Sequence, residues 1–430
     1  MMSMMSMMSM MRTSRLTLAL GLVAGIGVAR GNAQEPRKTV ADLMQVASVK
    51  TALAAAKNNE PQAIDDQIRF CEVPAASFKE GDRGTELRRT FQQLGLQNVR
   101  VDSAGNVLGD RPGAAPHPRL VIAAHLDTVF PEGTDVHVRR DGTMLYGPGI
   151  GDDCRGLGVL VATIRALKQA SVQTPGSITF VADVGEEGLG DLRGVKQLFG
   201  DTMKGQIDRF VSIDSTGLSI ANVGVASRRY RVTFKGPGGH SFGSFGLANP
   251  IDAMGRAIAK IAEFQVPGEP RTTFNVGRVG GGTSVNSIPF AAWMEVDLRS
   301  SDRAPLASLD ANFLKAVDAA VVEENGRWGT PGMISVVKDL VGDRPAGSTP
   351  DDAPIVQTAI AVGQTLGLRL GLAEGSTDAN LPMSLHIPAI TIGGGGHGVD
   401  AHALTEAFDT TDSWRGTQNA VLLTIALAQK

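Results

Sequence analysis

Leu120-Val121-Ile122-Ala123-Ala124, followed at once by His125-Leu126-Asp127, is the stretch on which the reading of this chain turns. Five consecutive apolar residues without polar alternation suit a strand buried on both faces, as in a parallel sheet covered by helices. The run is also too short for an ordinary helix. Residues 178–184, 210–213 and 389–392 repeat the pattern, each rich in β-branched or aromatic side chains. Segments such as 157–167, apolar at helical spacing, lie between them, so the fold class is α/β with a mostly parallel sheet.

Upstream, residues 41–94 carry apolar positions at helical spacing and predict two or three helices. Residues 99–108 predict two strands joined at Gly105-Asn106. Downstream, the pattern changes between about 226 and 340. Strands are expected over 229–234, 272–279, 291–298 and 333–340, with helices over 250–264 and 306–321. The order βαββαβ predicts a ferredoxin-like α+β unit. It is inserted, because helix-and-strand alternation resumes after Ala346-Gly347. The expected division is therefore 34–225 with 345–430, interrupted by 226–344.

The first 33 residues stand apart. After a Met/Ser repeat, Arg12 and Arg15 precede an uncharged stretch over 16–29 that ends in Gly31-Asn32-Ala33. That order reads as a signal peptide over 1–33 and an exported, periplasmic or secreted protein. An uncleaved anchor is the alternative, although fourteen residues are fewer than the roughly 20 that span a bilayer. No later run is long enough to insert stably in a membrane.

Composition removes other classes. At 42% apolar residues the chain is not disordered, and a net charge of −3 gives no reason to expect nucleic acid as a partner. Two cysteines, Cys71 and Cys154, exclude a disulfide scaffold and a Cys-based zinc module, and spacing does not tell whether they meet. Glycine is the one excess, 52 of 430 residues, and it gathers in 147–158 and 393–398.

In open α/β sheets ligands bind beyond the carboxyl ends of strands. There the sequence places His125 and Asp127, then Glu186-Glu187, then Asp214, then His397 and His402, with Asp152-Asp153 between the first two groups. Each has an ordinary reading: a loop histidine, a solvated acidic turn, a helix N-cap at Asp152-Asp153. Four strand ends carrying such groups are harder to explain so, because converging carboxylates repel without a cation. A dinuclear divalent site with mixed nitrogen and oxygen ligands resolves that repulsion.

His125-x-Asp127, Gly151-Asp152-Asp153, Glu186-Glu187, Asp214 and His402 resemble the ordered motifs of the M20 family of di-zinc metallopeptidases and amidohydrolases. The resemblance spans nearly all of 34–430. It implies that Asp152 bridges two divalent ions, most readily Zn2+, with Co2+ or Mn2+ as alternatives. His125 and Asp214 would complete one site, and Glu187 and His402 the other. His402 is preferred to His397 because it stands in an H-x-x-x-E context. Asp127 would orient His125, and Glu186 would be the general base for a water shared by the metals. A cis peptide at Asp152–Asp153 is also implied. Cys154 stands where the family commonly has lysine, a small buried residue or, alternatively, a ligand or redox group.

The same resemblance implies that 226–344 is a lid through which two copies dimerise. His240 would reach the partner's site, and Asn286 and Arg299 would bind substrate; residues 375–379 would line the site. The expected reaction is hydrolysis of an amide bond in small peptides, or alternatively deacylation of N-acyl amino acids. Two rival readings are a serine hydrolase built on Gly239-His240-Ser241-Phe242-Gly243 and a non-catalytic peptide-binding protein.

Overall fold

The computed structural model describes residues 34–329 and 333–429. The expected signal peptide lies outside them. Among the described residues, no helix is long and apolar enough to cross a membrane.

Eight strands lie side by side: Gln97–Val101, Val107–Arg111, Ser177–Asp183, Arg119–His125, Arg209–Ile213, Ala389–Ile392, Ser219–Gly224 and Gly347–Ser348. A ninth, Gly371–Gly375, adds to Ser219–Gly224. The four apolar runs form the centre, all parallel to their neighbours within it. Both flanks are antiparallel except for Gly371–Gly375, so the sheet is mixed. Alternation explains the unbroken apolar runs. Leu120, Ile122 and Ala124 pack under the helices Cys154–Gln169 and Trp414–Leu427, whereas Val121 and Ala123 face Leu192, Val195, Leu198 and Met383 on the other side. Each fully buried Leu, Ile or Phe here contributes about 1.5–3 kcal/mol of burial free energy.

Four helices, Gln34–Leu43, Ala47–Asn58, Glu60–Cys71 and Gly81–Leu94, precede the sheet; the last three fall within 41–94, as expected, and the first lies almost wholly before that range. The Gly105 turn forms as expected. Asp102 Oδ1 accepts the amide hydrogens of Ala104, Gly105 and Asn106, and Gly105 takes φ +107°.

Residues 226–344 supply an antiparallel sheet in the order Thr272–Gly281, Ala291–Ser300, Ala226–Lys235, Ser335–Arg344. The helices Pro250–Ala262 and Arg303–Arg327 cover one face. Val232, Phe234, Met294, Val296 and Leu298 meet Ala257, Ile261, Phe313 and Val317 there. Alternating burial along Ala291–Ser300 leaves the other face polar.

One element was not anticipated. Arg139–Asp141, Met144–Tyr146, Ala407–Asp409 and His397–Val399 form a small antiparallel sheet. These strands are three residues each, too short to show periodicity. Their pairing brings the glycine-rich loop after Tyr146 against the segment carrying His402.

Candidate metal centre

His125 is the last residue of its strand, level with Asp183 on one neighbour and just beyond the last paired position on the other. Its amide hydrogen goes to Asp153 Oδ2 at 3.1 Å. Asp153 caps the helix Cys154–Gln169 through Gly156 N–H, so the ordinary N-cap reading holds for the second aspartate of the pair. The first, Asp152, faces the other way across a cis peptide.

Asp152 lies between two histidines. Its Oδ1 is 3.1 Å from His125 Nε2, and its Oδ2 is 3.1 Å from His402 Nε2. On the first side Asp214 Oδ1 stands 4.0 Å from His125 Nε2. On the second, Glu187 Oε1 stands 3.2 Å from His402 Nε2. Potential ligand atoms of His125, Asp152 and Asp214 all lie within 4.8 Å of one another, and so do those of Asp152, Glu187 and His402. The five residues thus form two triads sharing one carboxylate, a donor set of imidazole and carboxylate that suits Zn2+ and related ions. His397 belongs to neither.

Charge explains why the cluster fits cations. Burial pushes the carboxyls of Asp214 and Glu187 above their ordinary values, and neighbouring carboxylates, Asp152 for both, push the same way. Burial would raise Asp152 too, but the two histidines hold it below the carboxylate range. His402 is pushed up to about 10, chiefly by its contacts with Asp152 and then Glu187. His125 is raised as well: burial opposes its charge, but bonds to Asp127 and Asp152 prevail. Both imidazoles are therefore shifted towards the protonated form, in which they compensate carboxylates where a divalent ion would serve. Metal binding must displace those protons. Calorimetric titration with Zn2+ at pH 7, in buffers of different ionisation enthalpy, should show net proton release. Affinity should rise with pH until His402 has lost its proton near pH 10. Binding without proton release would contradict this charge assignment.

Asp127 does more than the sequence suggested. The Nδ1 of His125 meets the Asp127 carbonyl at 3.0 Å, and the Asp127 carboxylate lies 3.6 Å from the same nitrogen. That carboxylate accepts three tighter bonds: Ser77 Oγ at 2.7 Å and the amides of Glu186 and Glu187 at 3.0 Å each. The carboxylate thus braces the turn that carries Glu186-Glu187, while the carbonyl of the same residue meets the His125 ring.

Glu186 is buried. Its Oε1 accepts Arg344 Nη1 at 2.8 Å, its carbonyl accepts the other terminal nitrogen of Arg344, and Oε2 has no protein partner among the described residues. Arg344 also donates to Ser376 Oγ at 3.3 Å, in the 375–379 loop. Arg344 was missed because a lone arginine near the end of a predicted strand carries no spacing signal. Glu406, the acid of the H-x-x-x-E context that begins at His402, is buried and accepts three backbone amides of the Asp152 loop.

The remaining candidates sit apart from the two triads. Gly239–His240 pairs with Ser287–Ile288, which brings His240 beside Asn286 on an exposed ribbon. Arg299 is bonded to Asp297 at 2.6 Å and lines a cavity of about 300 Å³ with Arg271, Glu374 and Ser376. Among the described residues no hydrogen bond joins these three to the clustered ligands. Ser241 lacks a triad: the His240 Nδ1 accepts amides of Phe242 and Gly243, and no bond from Ser241 Oγ to a histidine is formed among the described residues. Cys71 and Cys154 are both free and buried, in an apolar cluster with Ile64, Leu145, Ile150 and Phe408.

Residues 121–425 match the sequence profile of peptidase family M20/M25/M40. Carboxypeptidase G2 of Pseudomonas sp. (strain RS-16) is 26% identical over 313 residues, covering 69% of this chain and 72% of its own. Succinyl-diaminopimelate desuccinylase of Corynebacterium glutamicum is 25% identical over 336 residues, covering 76% and 86%. Among solved structures, the YXEP protein of Bacillus subtilis, described as a dinuclear metal binding peptidase from the M20 family, superposes with a TM-score of 0.62. It is 17% identical, with 86% of this chain and 98% of that one covered.

Proposed function

Because the chain belongs to peptidase family M20/M25/M40, we propose that it hydrolyses an amide bond in small peptides, with Glu186 as general base beside two divalent ions. The observation that carries this reading is Asp152, whose two oxygens each meet a histidine at 3.1 Å, with a further carboxylate on either side. Asp152 would bridge the ions, with His125 and Asp214 on one and Glu187 and His402 on the other. When bound, such a pair supplies Lewis acidity to the carbonyl and lowers the pKa of a water.

The protein's own groups do the rest. Arg344 holds Glu186 by Oε1, leaving Oε2 to take a proton from the attacking water and pass it to the departing amine. Asp127 keeps the Glu186 backbone in place while orienting His125. Arg299, half-exposed beside Ser376, would meet a substrate carboxylate. His240 and Asn286 would complete the site from a second copy, making the working form a homodimer through 226–344. The signal-like 1–33 segment supports an exported protein, periplasmic or secreted. Zn2+ is the preferred metal, and Co2+ and Mn2+ suit the same donors.

A second reading is deacylation of N-acyl amino acids at the same centre, favoured by the relative named as a desuccinylase. One experiment addresses both, together with the serine-hydrolase and binding-protein rivals. Metal-loaded protein, its chelated form and Ser241→Ala are incubated with di- and tripeptides and N-acyl amino acids, and products are read by mass spectrometry. The expected result is peptide cleavage by the loaded protein and by Ser241→Ala, and none after chelation. Release of acyl groups alone would select the second reading. Activity that survives chelation but not Ser241→Ala would refute the metal mechanism.

A further inference from the structure

The segment 402–406 carries two functional groups that look in different directions. His402, held at φ +68°, points its Nε2 at Asp152 Oδ2 and Glu187 Oε1. Four residues on, Glu406 turns the other way, beneath the loop that leads into Asp152. Its Oε2 accepts Gly149 N–H at 2.9 Å, and its Oε1 accepts Gly151 N–H at 2.8 Å and Asp152 N–H at 3.1 Å. The Glu406 carbonyl accepts Gly147 N–H at 3.0 Å, continuing the Ala407–Tyr146 pairing. Glu406 is 2% exposed, and no cation lies within ion-pair distance of it among the described residues. Its charge is met by three backbone dipoles.

A buried carboxylate without a counter-ion is costly, and an amide or apolar residue would avoid the cost. What the carboxylate alone provides is two acceptor oxygens for three converging donors. The loop beneath needs such a restraint. Gly149 adopts φ +80°, a conformation open mainly to glycine, and Gly147, Gly149 and Gly151 alternate through it. Unrestrained, this backbone has many alternatives. Bonded to Glu406, it has one, and Asp152 leaves it with its carboxylate aimed between His125 and His402.

We propose that Glu406 is a positioning residue for the metal centre. By fixing the Gly149–Asp152 backbone from the segment that also presents His402, it sets the shared carboxylate against its opposing histidine before any ion binds. This inference rests on the metal-centre reading above. Glutamine cannot substitute, because its single carbonyl oxygen leaves one amide facing an NH2 group, donor against donor.

The test is metal affinity, measured by competition with a chromophoric chelator, alongside turnover at rising Zn2+. For Glu406→Gln the expected result is affinity about 10–100-fold weaker than wild type, the usual loss for an outer-shell partner. Turnover should return to within a few-fold of wild type once metal is saturating. Unchanged affinity overturns the proposal. So does weakened affinity whose lost turnover excess metal does not restore, since that marks a general structural defect. Should Glu406→Gln fail to fold by circular dichroism, Gly151→Ala decides. Its methyl would lie 3.2 Å from Glu406 Oε1 and 3.0 Å from Thr216 Cγ2, pressing on the contact without removing the carboxylate. A several-fold affinity loss is expected, and none would overturn the proposal. Wild-type protein that binds no pair of ions would instead overturn the metal-centre reading itself.

Discussion

Glu186→Gln should retain both metal ions and lose turnover by about 10²–10⁴-fold, the usual contribution of a positioned general base. That factor corresponds to roughly 3–5.5 kcal/mol of barrier. The substitution isolates proton transfer well. The amide keeps a carbonyl oxygen to accept Arg344 Nη1, so the 2.8 Å contact and the burial of the site survive. The backbone amide of residue 186 remains bonded to Asp127. What disappears is the oxygen able to take a proton. Metal content measured on the same sample separates the two roles: two ions with little turnover is the expected result. Near-normal turnover would refute Glu186 as base.

Asp152→Ala should have the opposite signature, losing the metal first and the activity as a consequence. Asp152 is the one carboxylate common to both triads, so its removal takes a ligand from each. The affinity loss should exceed the roughly 10–100-fold typical of an outer-shell partner. The variant also leaves His125 and His402 without the contacts that raise them most strongly or nearly so. Elemental analysis after dialysis should find less than one ion per chain. Retention of two ions would show that Asp152 is not shared between them.

The four apolar runs became the four central strands, because a strand buried on both faces must be apolar at every position. His125, Asp152, Glu187, Asp214 and His402 converged because strand ends and their loops share one rim of the sheet. The helical region over 41–94 divided into three, within the expectation. Its breaks fall at Asn59, just before Pro61 in the first turn of the next helix, and at 72–80, where Pro74 follows the helix end at Cys71. The small sheet beside Asp152 escaped notice because three-residue strands leave no period to read. Arg344 and the clamp by Glu406 were illegible for another reason. Each acts through partners more than 150 residues away, Glu186 at 158 and Gly149 at 257, and long-range pairing leaves no mark in local spacing. The glycine excess was legible as a location but not as a mechanism. Only the structure shows Gly149 and Gly151 offering their amides to one carboxylate.

Amide hydrolysis driven by two ions around Asp152 requires activity to follow metal content. The most direct test is a stoichiometric reconstitution: chelated, dialysed protein is titrated with Zn2+ while cleavage of a dipeptide found active in the panel is followed. No cleavage is expected at zero equivalents, followed by a rise that saturates at two ions per chain. Full activity at zero equivalents, or saturation without any dependence on added metal, would contradict it.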